Sequence, residues 1–442
     1  MDLLEKIKEA GIIGAGGAGF PTHIKLKSNA NYILLNSAEC EPLLRVDQQL
    51  LEFKTKEVIK GFYMASELVG ATKAIIGIKN KHKKVIDIIE KTIEDLKLQN
   101  KVFVGQLPDV YPAGDEQVLV YELTGRVVPE NGIPLAVDCI VINTETALNI
   151  YNASINESVC DKYVTISGDV PNPITVKVPI GTPVEILYKI AGRENLEGYE
   201  VIDGGPMMGN LFSNKYGYVT RKTKGLIVLE ENHKLVQNKK RTLKGSTIIN
   251  RTACEQCRMC TDLCPRYLLG HSTSPHKMVR SLGFNKEATK DNTVALTCCQ
   301  CNLCDYFSCP AGISPKLANV YYMNKLREQG IKHISTTNEF KPRDMREYRM
   351  VPSKRLIERL NIKKYDNKAT LNIVDIQPEI VGISLNDYIG KKATPIVQVG
   401  DYVNRNDKIA DIEDGSMGAV VHSSISGVVE EIREDIIIVR RS

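Results

Sequence analysis

The sequence predicts a multidomain chain of α/β and β architecture. A layered α/β domain spans residues 1–155, a small β-rich module 156–245, a helical cysteine-rich domain 246–345, and a connecting segment with a short-stranded β domain 346–442. Three observations predict this order. Strand-like and helix-like periodicities alternate up to Asn143, nine of the twelve cysteines crowd into residues 254–310, and from Leu385 onward short apolar strands alternate with glycine turns.

The first twelve residues place Leu3, Leu4, Ile7 and Ala10 at helical spacing, and no flexible linker follows, so they read as the first helix of a domain and not as a docking peptide. Gly14, Gly16, Gly17 and Gly19 then form a loop that formally satisfies G-x-G-x-x-G. No proper strand precedes it and Pro21 stands where a helix should open, so it is not a dinucleotide fingerprint of the Rossmann kind. Two readings remain for the loop: a tight connection, or a backbone cradle for a phosphate or flavin with Lys25 adding a charge. A strand over 31–36 runs into the polar loop Ser37-Ala38-Glu39-Cys40-Glu41-Pro42. A helix over about 48–68, a strand over 73–78, a helix over 83–98, and strands over 101–105 and 136–142 complete a parallel sheet.

Residues 164–167 and 174–178 read as two strands around a Gly/Pro/Asn turn, followed by a short helix over 183–191 and the loop Gly204-Gly205-Pro206-Met207-Met208-Gly209. Adjacent methionines in a loop read first as adaptable packing. A Lys/Asn-rich connection leads to Cys254-x2-Cys257-x2-Cys260-x3-Cys264-Pro265 and then to Cys298-Cys299-x-Cys301-x2-Cys304-x4-Cys309-Pro310. Zinc takes four ligands, commonly as two C-x2-C pairs, and these runs oversupply it. A disulfide framework is disfavoured because acidic Asp2 and Glu5 stand where a secretory signal would be basic, which points to a cytosolic chain. The runs resemble those of bacterial two-cluster ferredoxins, in which the fourth cysteine of each run ligates the other [4Fe–4S] cluster. That resemblance implies one cluster on Cys254, Cys257, Cys260 and Cys309 and a second on Cys264, Cys298, Cys301 and Cys304. Cys298 is preferred to Cys299 for its two-residue spacing to Cys301, and the four-residue gap before Cys309 departs from the motif. His271 and His276 fall in a stretch read as helical and are not needed as ligands.

Residues 14–25, 36–42, 111–116 and 143–146, followed by two ferredoxin motifs, resemble in order the flavoprotein subunit of respiratory complex I and its relatives, the RnfC subunits and the PduS-type cobalamin reductases of bacterial microcompartments. The PduS-type order of FMN domain, SLBB β-grasp module, two clusters and C-terminal barrel-sandwich hybrid covers essentially the whole chain, whereas RnfC subunits carry the barrel-like part first. The resemblance implies that Gly14, Gly16, Gly17 and Lys25 hold the FMN phosphate and ribityl chain. Asn36, Glu39, Cys40, Tyr111, Gly114, Asp115, Asn143 and Thr146 would line the flavin. Phe20 would stack on NADH, and Glu41 and Glu116 would contact the nicotinamide as the catalytic pair. Ala38 and Ile142 depart from the complex I pattern, and a second aromatic after Lys25 is missing.

The net charge of +5 on 442 residues, with Lys and Arg interspersed among Asp and Glu, gives no basic stripe for nucleic acid. No run reaches the roughly 18 apolar residues of a membrane helix. Residues 313–365 read as a polar helical segment with a solvated face. Residues 399–403 and 422–429 look like the two halves of a barrel-sandwich hybrid without the lysine that carrier domains modify, which makes this a structural or docking module. The resemblance implies electron transfer from NADH through FMN and two [4Fe–4S] clusters to a corrinoid acceptor of a diol-dehydratase system, in the cytoplasm or inside a microcompartment, with oligomerisation open. An RnfC-like membrane-complex subunit and an adaptor fed by a separate donor are the alternatives.

Overall fold

The computed structural model describes residues 1–442 except 213–215, 285, 336, 338, 368 and 373–375. The first domain carries β1 (Tyr32–Asn36), β2 (Lys73–Lys79), β3 (Val102–Leu107), the two-residue β4 (Val110–Tyr111) and β5 (Cys139–Asn143). β1, β2, β3 and β5 form a parallel sheet in the order β3-β2-β1-β5, with Asn36 in register with Asn143. The connections leave β1 in opposite directions, so the neighbours β1 and β5 mark the switch point where open α/β sheets bind ligands. Their strands are near-continuous apolar runs because helices cover both faces. The region expected as one helix over 48–68 is two, Val46–Phe53 and Thr55–Leu68, because Lys54 leaves helical geometry at φ −129°. Gly61 lets the second of them lie against helix Thr144–Ser154: a Cβ there would sit 1.9 Å from the Ala147 carbonyl oxygen. The last strand starts at Cys139 instead of residue 136, since Pro134–Val137 forms a 3₁₀ turn.

The second module holds β6 (Asp161–Gly168), β7 (Ile174–Pro179), helix Val184–Ile190, β8 (Tyr199–Asp203), β9 (Asn210–Leu211) and β10 (Gly225–Glu230). β6 and β10 run parallel at the centre, each flanked by an antiparallel partner, which is the β-grasp arrangement. The expected polar helical segment is less detached than its composition suggests. β11 (Val351–Pro352) pairs with β4, β12 (Thr370–Asn372) extends the β-grasp sheet beside β7, and Arg346 is buried against Glu122. The last domain packs β13 (Ile380–Ser384), β15 (Tyr402–Val403), β18 (Gly427–Ile432) and β19 (Ile436–Arg440) against β14 (Thr394–Pro395), β16 (Lys408–Asp411) and β17 (Val421–His422). Val381, Ile383, Ile409, Val429 and Ile437 fill the sandwich. Among the described residues no helix is long and apolar enough to cross a membrane.

One buried ion pair ties three of these units together. Arg221 of the β-grasp module bonds Asp387 of the barrel-sandwich domain at 2.6 Å and donates from Nη1 to the carbonyls of Gly11 and Val420, both at 3.0 Å. The Asp387 carbonyl in turn lies 3.0 Å from where a Cβ on Gly19 would be, at a φ of +76° that favours glycine. The barrel-sandwich domain is therefore a wall of the glycine loop. Arg221→Ala strands a buried carboxylate and should cost about 3–5 kcal/mol, read as a lowered denaturation midpoint. The double variant Arg221→Met with Asp387→Leu should recover most of that loss, and failure to recover would mean that the carbonyl contacts carry the effect.

Candidate functional site

The loops that follow β1 and β5 meet the glycine loop at the C-terminal edge of the sheet. The Gly14 N–H donates to the Phe20 carbonyl at 2.9 Å and closes the loop, while the Ala15 N–H donates to Thr146 Oγ1 at 3.1 Å. A Cβ on Gly16 would collide with the Asn143 side chain, 2.3 Å from Nδ2. Among the described residues nothing accepts from the amides of Gly16, Gly17 and Ala18, which lie exposed. Lys25 Nζ donates to the Val141 carbonyl at 3.0 Å and pairs with Glu116 at 3.4 Å. Asn36 Nδ2 donates to the Gly114 carbonyl at 2.9 Å, and a Cβ on Gly114 would lie 3.1 Å from Cys40 Sγ. Asp115 caps helix Glu116–Thr124 by accepting from the Gln117 and Val118 amides. The four segments singled out in the sequence thus converge on one cradle. Its free amides, its lysine and Gly16, which has no room for a side chain, fit a phosphorylated planar ligand such as FMN.

The acidic loop after β1 is drawn toward the β-grasp module. Burial raises the Glu39 carboxyl to about 7 against the pull of Lys224, which bonds Glu39 at 2.9 Å and Asp47 at 2.7 Å. Glu41 accepts from the Met207 and Met208 amides at 2.8 and 2.9 Å, and a Cβ on Gly205 would lie 2.1 Å from its Oε2. The Glu41 carboxylate is thereby committed to the 204–209 loop, whereas Glu116 keeps a side chain 44% exposed beside Lys25. Met207 is fully buried and Met208 half exposed, so the pair divides between packing and surface.

The two cysteine runs repeat each other in backbone conformation. Gln256 and Arg258 (φ 53° and 66°) are matched by Gln300 and Asn302 (φ 57° and 61°), left-handed positions on either side of the middle cysteine. In this repeat Cys298 occupies the position of Cys254 and Cys299 that of Glu255. Gln256 Nε2 donates to Cys254 Sγ at 3.0 Å, and the Gln300 N–H donates to Cys298 Sγ at 3.4 Å. The extra residue before Cys309 is absorbed by a π-helical turn over Cys304–Ser308. A mostly apolar pocket open to solvent is lined by Cys254, Cys257, Cys260 and Cys309, the set expected for one cluster. Cys264, Cys301 and Cys304 are buried, and Cys298 and Cys299 lie beside them at intermediate exposure. Burial pushes Cys260 and Cys264 up to about 12, so they stay protonated at neutral pH until a metal displaces the proton. His271 lies away from both groups, its ring nitrogen bonded to the Val128 carbonyl from a loop instead of the expected helix. His276 lines the cavity but is held by Thr261 at 2.7 Å.

The deeper thiol group touches the flavin cradle directly. Tyr111 Oη donates to the Cys301 carbonyl at 2.8 Å, and Arg266 Nη2 donates to Asp115 Oδ2 at 2.9 Å. Asn302 Nδ2 donates to the Met207 carbonyl at 2.6 Å, and Lys239 donates to the Gly209 carbonyl at 2.5 Å. Arg266, Lys224, Lys239 and Asn302 are not singled out by the sequence. Arg266 alone leaves a trace there, since Cys264-Pro265-Arg266 is answered by Cys309-Pro310-Ala311.

Three family models match parts of this chain. Residues 7–152 match the Nuo51 FMN-binding domain, 253–314 a 4Fe-4S dicluster domain, and 357–441 the RnfC barrel sandwich hybrid domain. A component of the Na(+)-translocating ferredoxin:NAD(+) oxidoreductase complex of Acetobacterium woodii is 32% identical over 60% of this chain and 58% of its own. Cobalamin reductase PduS of Citrobacter freundii is 39% identical over 99% of this chain and 96% of its own. The PduS of Salmonella typhimurium is 40% identical over 100% of this chain and 96% of its own. The chain is an oxidoreductase with an FMN-binding domain and a 4Fe-4S dicluster domain, and it belongs to the PduS cobalamin reductase family.

Proposed function

We propose that this chain moves electrons from NADH to a corrinoid acceptor, with FMN and two [4Fe–4S] clusters as its cofactors. FMN accepts a hydride and releases electrons singly, and iron–sulfur clusters carry single electrons at potentials set by their surroundings. The observation that carries the reading is the Tyr111–Cys301 hydrogen bond, because it makes a flavin loop and a cluster loop parts of one polar network. In this reading Gly14, Gly16, Gly17 and Lys25 take the flavin phosphate and ribityl chain. Asn36, Glu39, Cys40, Tyr111, Gly114, Asp115, Asn143 and Thr146 line the flavin. Phe20 and Glu116 face the nicotinamide, and Glu41 holds the 204–209 loop against that site. Cys254, Cys257, Cys260 and Cys309 hold one cluster, and Cys264, Cys298, Cys301 and Cys304 the other. The acceptor rests on the full-length likeness to the two cobalamin reductases, and the family resemblance read from the sequence adds the cytoplasm or a microcompartment as the place of work.

Anaerobic reconstitution should give about eight irons and one acid-releasable flavin per chain, by metal analysis and absorbance; zinc without flavin would refute the proposal. Adding NADH alone should then bleach the flavin absorbance. If bleaching needs a second protein, the chain is an adaptor or an RnfC-like subunit of a larger complex instead.

The backbone repeat supports Cys298 as the ligand at the second cluster. Cys298→Ser should remove one cluster signal from the EPR spectrum and lower the iron content by about half, since one of two four-iron clusters is lost. Cys299→Ser should keep both signals. The opposite pattern would transfer the ligand role to Cys299.

A further inference from the structure

We propose that Arg266 is the positioning residue that raises the reduction potential of the flavin-side cluster, the one held by Cys264, Cys298, Cys301 and Cys304. The inference rests on the two-cluster reading and adds to it an asymmetry between the clusters. Arg266 lies two residues after Cys264, with a side chain 10% exposed. One guanidinium nitrogen is spent on Asp115 at 2.9 Å, Nε and Nη1 are buried without a nitrogen or oxygen partner among the described residues, and the Cys299 sulfur lies close enough to accept from the guanidinium. After Asp115, the charges that act on Arg266 most strongly are the sulfurs of Cys299 and Cys264. A buried guanidinium whose N–H donors beyond the Asp115 bond face cysteine sulfur is poised to donate to cluster sulfur. Both its charge and its hydrogen bonds favour the more negative, reduced state.

The pocket of the other cysteine set is lined by Arg258, which is exposed, and among the described residues no buried guanidinium lines it. The backbone repeat puts exposed Ala311 where Arg266 stands, so the buried cation is not repeated at the other cluster. An opposing charge is present in Asp305, 3.8 Å from Cys304 Sγ, but its carboxyl is bonded to Ser314 and the Lys316 amide, and burial raises it to about 6. Asp305 is unchanged when Arg266 is replaced, so a variant at 266 isolates the guanidinium. Through Asp115 the same side chain is fastened to the cap of the helix that follows the flavin loop. The cluster it serves is thereby the one adjoining the flavin.

The test is a potentiometric titration followed by EPR on the reconstituted holoprotein. Arg266→Gln, which keeps a donor and removes the charge, should shift one cluster midpoint to more negative potential and leave the other in place. Arg266→Lys, which keeps the charge, should restore most of the shift. Iron content and circular dichroism confirm that each variant is folded and loaded; if Arg266→Gln loses a cluster, Arg266→Met is titrated in its place, with the same negative shift of one midpoint expected and an unchanged midpoint overturning the proposal. An unchanged midpoint in Arg266→Gln, equal shifts of both clusters, or equal shifts in both variants would overturn it. A wild-type protein without two iron–sulfur signals would instead overturn the reading on which the inference rests.

Discussion

The hydrogen bond from Tyr111 to the Cys301 carbonyl is the constraint on which the arrangement depends, because it fixes a loop of the flavin domain against the innermost loop of the cysteine domain. It is fully buried, and a phenol left without an acceptor there would cost on the order of 1–3 kcal/mol. The surrounding apolar cluster belongs to no single domain. Leu43, Leu44 and Tyr111 come from the first, Ile202, Met207 and Ile227 from the β-grasp module, Cys301 and Leu303 from the cysteine runs, and Val351 and Leu356 from the connecting segment. Four parts of the chain bury their apolar surface in one place, so the relative position of flavin cradle and thiol groups is set by a shared core and not by linkers.

That shared core explains why the β-grasp module stands between the flavin and cysteine domains in the sequence. Its 204–209 loop spends amides on Glu41, a carbonyl on Asn302 and another on Lys239, and thereby joins the acidic loop after β1 to the second cysteine run. Burial lowers the Lys239 ammonium to about 8, and Glu41 opposes the fall. Glycines at 205 and 209 are needed because a Cβ at either would collide with Glu41 or with the carbonyls of Asp203 and Gly205. A loop whose Gly and Met content suggests plain packing is a three-way connector.

The elements that were legible in the sequence are those with strong local signals. The parallel sheet follows from apolar runs between helices, and the two cysteine runs stand out by their spacing, while their division into cluster sets is what the ferredoxin resemblance implies. The segments at 14–25, 36–42, 111–116 and 143–146 carry glycines and polar groups at strand ends, where ligands bind. What was not legible depends on distant pairing. β11 and β12 have no strand signature of their own and exist because β4 and β7 offer free edges. Arg346 reads as one more cation in a basic run, yet it is buried on Glu122 and lies against the Tyr121 ring. The break at Lys54 and the role of Arg266 are invisible for the same reason: each is decided by what a side chain meets after the domains have packed.

The four-residue gap before Cys309 shows how a departure from a motif can preserve its geometry. In the first run, Cys260 and Cys264 are joined through a single α-turn, Met259–Asp262. In the second, one more residue has to be accommodated without moving the last cysteine away from Cys254, Cys257 and Cys260. A π-turn closes one residue later than an α-turn, and Cys304–Ser308 adopts it, with Ser308 Oγ donating back to the Leu303 carbonyl and Asp305 held by Ser314 and Lys316. The wider turn carries the insertion, Cys309 reaches the cavity wall, and Ser314 still caps the helix Pro315–Glu328 that supports it. Motif spacing is therefore a proxy for loop geometry, and where the two disagree the geometry decides which thiols can share a cluster.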